Sequence, residues 1–570
     1  MHIEEKVIKG QRYLYAVRSG RVNGKPRRLE QIYLGKLEDL VAARQVSLKP
    51  KSVRSRRFGA VAALWALSEE LGLRREIDRE CGQVRGPGAS IGTYLVLAAI
   101  NRVIEARSKN GFADWYQTTS LERLAQVAPG ALSSQAFWTA MDRFPLPAGN
   151  RILARLLPKL LQEAGSSEVV SFDCSNFFTF IASSNRRPQL ARRGHNKAKR
   201  HDLRQVGLAL AVSAAGQLPL FHHVYAGDQP DANTFKAVWP QLLEALRGVG
   251  VAKTTLVYDK GNLSKSNQKL VDEAGVSYVT SFPPHLFPDL LAVPLGEFKA
   301  AQGEALAGFL WQREERLLWG RERVLVQSWS PELAAGQEAG LRQHLAKAER
   351  KLEGLGESLE RRQRPGSRGR KPSREAIEKV VAAALGAQHL RRLVRVEVKE
   401  EAGRFSLRYE VDQDYWEHLS AHLFGRRIWV SDRRDWSPEQ ILQAAHQQND
   451  AEACFRDLHG ERPAAWSPMW HWTDQKIAVH AFYMLLALLL ARLLRLRAQR
   501  GGDQRETATL VRDLDRVDET WLAYPAAGAS GQGRPRIVHQ LNERSPQQQR
   551  LLEVTGALAL APALGGSSTS

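Results

Sequence analysis

Between Glu168 and Phe282 the chain repeats apolar runs in an order that few folds can satisfy. EVVSFDCSNFFTFI, DLRQVGLALAVS and QLPLFHHVYAG read as three strands, with Ala215-Gly216 turning the chain between the last two. DANTFKAVWPQLLEALRGVG has helical periodicity, TTLVYD is a strand ending at Asp259, SKSNQKLVDEAG is a second helix, and VSYVTSF closes the run as a strand. A β meander followed by α-β-α-β predicts a mixed sheet with helices on its faces.

That order is the ribonuclease H-like arrangement, so the fold class expected is α/β, with a catalytic domain of this kind interrupted by a mostly β insertion domain. Residues 1–50 form a small β hairpin unit, in which RYLYAVR and RRLEQIYLG flank the turn dipeptide Asn23-Gly24. Residues 51–165 have the helical period throughout and read as a DNA-binding or dimerisation domain; Trp65, Trp115 and Trp138 recur at helical spacing and read as core. The first part of the core spans 166–283 and the insertion 284–432, with a long charged helix near Pro331–Arg362 and a basic, Gly/Pro-rich QRPGSRGRKPSR segment. Residues 433–500 return to helix: Ser437-Pro438-Glu439-Gln440 predicts a capping box starting the helix that carries Glu452, and a second, apolar helix runs from about Asp474 to Leu496. Residues 501–570 read as an extension with a mobile Gly/Ser-rich tail after Ala526.

Composition narrows the partner. The 570 residues hold 82 Lys plus Arg against 61 Asp plus Glu, a net charge of +21, which directs the chain toward a polyanion, nucleic acid above all. Cys81, Cys174 and Cys454 are far apart and odd in number, excluding a disulfide framework and a thiolate zinc site. His195, His201 and the pair His222-His223 lack zinc spacing. The first residues lack the order of a secretory signal, and the apolar stretch Ile477–Ala491 falls short of a bilayer span, so a cytoplasmic, nucleoid-associated protein without membrane contact is expected.

Phosphodiester chemistry on DNA needs an activated oxygen nucleophile and a stabilised leaving oxygen, which a pair of divalent cations supplies together. Hard oxygen ligands suit Mg2+, so two ions (Mn2+ as a substitute) held by a few carboxylates suffice. Asp173 lies within the first strand of the meander, Asp259 ends the fourth strand, and Glu452 lies on a helix that can pack beside them. Asp450, Asp457 and Glu461 are nearby, but on a helix Asp450 faces about 200° away from Glu452, so the two do not share one site.

VVSFDCSNF, LVYDKGNLSKSN and the segment AEACFRDLHGERPAAWSPMWHWTDQKIAVHAFYMLLALLLARLL resemble the three catalytic regions of bacterial insertion-sequence transposases of the DDE type, in the IS-four superfamily and its sixteen-thirty-four branch. YLGKL, the meander segment and HWTDQKI are similar to that branch as well. The resemblance implies Asp173, Asp259 and Glu452 as the catalytic, metal-binding triad, an insertion between the second and third acids, and the terminal inverted repeats of a mobile element as substrate. The superfamily's Tyr, Arg and Lys positions around the glutamate hold Ala445, Gln448 and His459 here, which puts its phosphate clamp in doubt; Arg456 can substitute and His459 can donate a hydrogen bond. The run RRPQLARRGHNKAKRHDLR predicts DNA-backbone contact through Arg192, Arg193, Lys197, Lys199 and Arg200. Trp466, Trp470 and Trp472 read as core.

Together these readings describe a cut-and-paste transposase that acts on double-stranded DNA, the ends of its element and a target, as a homodimer in the synaptic complex. The 3′-OH hairpin step comes from the resemblance. The rival is a catalytically impaired or recruited DNA-binding protein derived from such an enzyme, and a structure-specific nuclease is a third.

Overall fold

The computed structural model describes residues 1–22, 24–38, 40–41, 49–82, 88–165, 168–182, 184–196, 198–250, 254–364, 367, 373–401, 403–524 and 536–562. In chain order its strands are β1 (His2–Ile8), β2 (Gln11–Val22), β3 (Lys25–Gly35), β4 (Ser52–Arg57), β5 (Val169–Thr179), β6 (Arg204–Ser213), β7 (Pro219–Ala226), β8 (Thr255–Tyr258) and β9 (Ser277–Phe282). They continue with β10 (Lys299–Ala300), β11 (Leu310–Leu318), β12 (Arg321–Trp329), β13 (Val394–Glu401), β14 (Arg404–Val411), β15 (Arg426–Ser431), β16 (Asp518–Tyr524) and β17 (Arg536–Leu541).

The centre is a nine-stranded mixed sheet in the order β10-β11-β12-β15-β9-β8-β5-β6-β7. β5, β6 and β7 pair antiparallel as a meander, while β5, β8 and β9 run parallel. Alternation along β5 and β6 divides the core. Val170, Phe172, Ala209 and Ala211 face the Asp231–Val249 helix through Phe235, Val238 and Leu242. Phe177, Leu208 and Leu210 face the opposite layer, in which the Asp474–Arg500 helix packs against the Gly59–Leu71 and Ile91–Ile104 helices.

Several expectations change here. The segment 51–165 shares one continuous core with the Asp474–Arg500 helix and a face of the central sheet, rather than standing apart. Trp65 and Trp115 are buried in it, and Trp138 is half-buried. The insertion is not a mostly β domain: β10, β11, β12 and β15 extend the central sheet, and the interior of β12 is buried on both faces, as a central strand requires. Outside that sheet, the insertion contributes the Pro331–Arg362 and Arg374–Ala384 helices, the Leu390–Leu393 and Gln413–His422 helices and the β13–β14 hairpin, around a small core of their own. The QRPGSRGRKPSR segment falls largely outside the described residues, as does Asn23 of the first turn.

The capping box at Ser437 forms in both directions, yet its helix ends at His446; a second helix, Gln448–His459, carries Glu452. The apolar helix is longer than expected, Asp474–Arg500, and by length and hydropathy could cross a bilayer. Its apolar window is 94% buried inside the protein, so it serves as a core helix. Nor is the chain beyond 526 all tail. β17 pairs with β16, β16 pairs with β4, and the Pro546–Val554 helix buries Leu551 and Leu552.

Candidate active site

β5 and β8 run side by side with Phe172 opposite Tyr258, which brings Asp173 and Asp259 to the next positions along two neighbouring parallel strands. The Gln448–His459 helix lies along β5 and is fixed at both ends: Ser171 Oγ donates to the Gln447 carbonyl at 2.7 Å, and Ser175 Oγ bonds His459 Nε2 at 3.0 Å. Residues 171, 173 and 175 alternate onto the face this helix covers, so Asp173 sits between the two anchors. Glu452, Arg456 and His459 follow one another at i, i+4 and i+7 along one face of the helix.

The carboxylates sense one another. Burial raises the Asp173 carboxyl to about 7 in spite of a hydrogen bond from the Cys174 amide, and the charges of Asp259, Glu452 and Asp231 add to the rise. Asp259 accepts a hydrogen bond from Ser281 Oγ at 3.1 Å, which orients it from β9. Asp231, first residue of the Asp231–Val249 helix, was missed in the sequence because an acid in that place reads as a helix-start residue; it accepts from Tyr225 Oη at 3.2 Å.

Asp259 and Glu452 line one cleft of about 680 Å³. Lys260, Arg427 and His446 contribute basic or imidazole groups to it, and Gln337, Leu341 and His344 of the Pro331–Arg362 helix form the far wall. Lys260 and Arg427 were not singled out in the sequence, although one follows Asp259 directly and the other lies in the RRIWVSD strand. The acids near Glu452 have other work: Asp450 accepts from Gln217 Nε2 at 2.7 Å, and Asp457 pairs with buried Arg492 at 2.7 Å.

The clamp positions divide. Ala445 is buried beside Leu442 and, like Gln448, lines the cleft, but its methyl group offers no polar atom there. The His459 ring stacks on Phe177 at 4.2 Å between centroids, and the loss of water on that side pushes its imidazole below the usual value. In the basic run, Arg193 and Lys199 are exposed, Arg192 bonds the Gln189 carbonyl, Arg200 pairs with Asp202 at 2.6 Å, and Lys197 lies outside the described residues. The tryptophans separate as well. Trp466 is buried and stacks on Phe177 at 4.3 Å, Trp472 is half-buried beneath Arg187, and Trp470 is 51% exposed rather than core.

Carboxylate oxygens are the donors that Mg2+ and Mn2+ prefer, so the three side chains fit such ions in kind. Among the described residues no three Asp, Glu, His or Cys side chains stand close enough together to enclose an ion. Phosphate oxygens of a substrate would complete any coordination.

No protein-family model matches the chain, and no curated protein matches it. Among solved structures it is similar to a piggyBac transposase in a cryo-EM synaptic complex with hairpin DNA, at 8% identity and a TM-score of 0.36 over 89% of this chain and 87% of that one.

Proposed function

We propose that the protein is a DNA transposase of the DDE type, with Asp173, Asp259 and Glu452 as its catalytic carboxylates. The observation that carries this reading is that an acid of β5, an acid just past β8 and an acid of the helix laid along β5 lie on neighbouring elements, near enough that the charges of Asp259 and Glu452 add to the rise that burial chiefly imposes on the Asp173 carboxyl. The order β7-β6-β5-β8-β9 supports a ribonuclease H-like core, since the meander and the two parallel strands that follow it occupy neighbouring places. The net charge of +21 supports a polyanionic substrate.

The three carboxylates would hold two Mg2+ ions, which when bound activate an oxygen nucleophile and stabilise the leaving oxygen. The chain's own groups do the rest. Ser281 fixes the Asp259 carboxylate, Lys260 and Arg427 attract the phosphodiester, and the Pro331–Arg362 helix lines the cleft with Gln337, Leu341 and His344. Hydrolysis at the end of an insertion sequence frees a 3′-OH, which attacks the opposite strand to leave a hairpin; the opened end then joins target DNA. Two protomers acting on two terminal inverted repeats complete the proposal.

A second reading has its own support. With alanine at 445, the uncharged Gln448 and the imidazole of His459 held below its usual value, the clamp lacks a fixed charge at these three places, as a recruited DNA-binding descendant would tolerate. One experiment separates the two. Incubated in Mg2+ with duplexes carrying the inverted repeats that flank its gene, the enzyme nicks at the repeat ends and the Asp173→Asn variant does not. Equal products from both proteins reject the assignment, and binding without nicking by the wild type favours the second reading.

A further inference from the structure

β1 pairs with β2 only across residues 11–17, so from Arg18 onward β2 and β3 continue as a two-stranded antiparallel ribbon. Ser19 lies opposite Arg28, Gly20 opposite Arg27, Arg21 opposite Pro26 and Val22 opposite Lys25. At roughly 3.4 Å per residue, the arm extends some 15 Å beyond the third strand. At Gly20 the Leu29 Cδ1 lies 2.6 Å from where a Cβ would stand, so the side chain of one strand closes over the backbone of the other. The rest of the described arm is exposed.

Its charge is one-sided. Residues 1–36 hold nine Lys or Arg and three Glu, and each glutamate is already paired: Glu4 with Arg28, Glu5 with Arg12 at 3.3 Å, and Glu30 with Arg18 at 3.3 Å. Arg21, Lys25 and Arg27, at the tip, have no ion-pair partner among the described residues. Alternation places Arg21 on one face of the ribbon and Lys25 and Arg27 on the other. A charge left unpaired on an exposed arm gains nothing for the fold.

We propose that this ribbon is a DNA-contacting arm that seats in a groove of the duplex, with Arg21, Lys25 and Arg27 on its phosphates. A two-stranded ribbon is one of the shapes that the major groove admits, and cations on both faces meet the backbones on both sides of it. The proposal rests on the reading of DNA as substrate, which came from the carboxylates and not from this arm.

The test is equilibrium binding of the full chain to a 30-base-pair duplex in EDTA, from 50 to 200 mM salt. The variants are Arg21→Ser/Lys25→Ser/Arg27→Ser and the charge-retaining Arg21→Lys/Arg27→Lys, each checked by circular dichroism and thermal midpoint. Removing three phosphate contacts makes the slope of log affinity on log salt shallower by about 2 to 3 and weakens binding at least tenfold at 150 mM, while the lysine variant keeps the wild-type slope. Wild-type affinity and slope in the serine variant overturn the arm and leave the DNA reading standing, also if that variant changes only the sedimentation of the free protein. Absence of wild-type binding to any duplex rejects the DNA reading itself, and the arm with it.

Discussion

Asp450 and Glu452 stand two residues apart on one helix and serve opposite sides of it: Asp450 turns to the Gln217 amide at 2.7 Å, and Glu452 opens on the cleft that Asp259 also lines. Sequence proximity therefore says nothing about shared work. Glu452→Gln is expected to lower strand cleavage at least about 100-fold with no loss of stability, whereas Asp450→Asn keeps an acceptor for Gln217 and leaves cleavage within about threefold. Single-turnover nicking of both variants checks this, and the reverse order of effects would move the site to Asp450.

Asp173→Asn separates chemistry from stability. Its carboxyl is raised to about 7, so above that pH the folded protein holds a charge that the unfolded chain solvates more easily. Below the ordinary value near 4 the penalty vanishes; it grows as pH rises from there to about 7 and is fully present above 7. The variant is expected to abolish cleavage and, at pH 7.5 without divalent ions, to be more stable by about 1–2 kcal/mol, the lower part of what the shift allows for a half-buried group. Urea unfolding of both proteins in EDTA measures it; a destabilised variant contradicts the electrostatics described.

Added Mg2+ or Mn2+ should relieve the same penalty. The thermal midpoint of the wild type is expected to rise with millimolar Mn2+, and that of Asp259→Asn to rise by less than half as much. Differential scanning fluorimetry reads the difference, and identical shifts in the two proteins would detach the carboxylates from the ions.

Acid should unfold this protein early. His222 is pushed down to about 3 and His223, His459, His471 and His480 lie below the usual imidazole value, each chiefly through burial. The unfolded chain takes up protons at these places from about pH 6.5 downward, ahead of the folded one, so stability falls as pH drops, by up to about 1.4 kcal/mol per unit for each histidine. Asp173 and the other aspartates that burial raises, Asp432, Asp450, Asp457, Asp515 and Asp518, oppose this in part. Urea midpoints at pH 7.5, 6.5 and 5.5 should decline in that order.

Trp466 and Trp470 predict opposite costs. Trp466 is 1% exposed between Phe177 and His480, so Trp466→Ala is expected to cost about 3–5 kcal/mol; Trp470, 51% exposed, should change stability by less than about 0.5 kcal/mol. Denaturant unfolding of the two variants decides.

The legible parts of the chain were those where a local pattern and the tertiary role agree. The meander, the helices after it and the capping box at Ser437 follow from period and caps, and the separation of Asp450 from Glu452 follows from helix geometry alone. What could not be read was long-range pairing. VLVQSW in β12 is apolar in either a separate β domain or a central sheet, and only its neighbour β15 decides between them. The helix break at Gln447 has no proline or glycine to announce it. Asp231 reached the site through the packing of its helix on β7, which no spacing encodes.

The pairing of β4 with β16 carries a consequence for biogenesis. Residues 52–57 find their hydrogen-bonding partner among residues 518–523, and the helices after β4 share their core with the Asp474–Arg500 helix. On the ribosome this early layer must wait, with its apolar side uncovered, until some four hundred further residues have emerged, a period in which chaperones have reason to hold it. Premature termination anywhere before that point would release a nascent chain unable to close on itself.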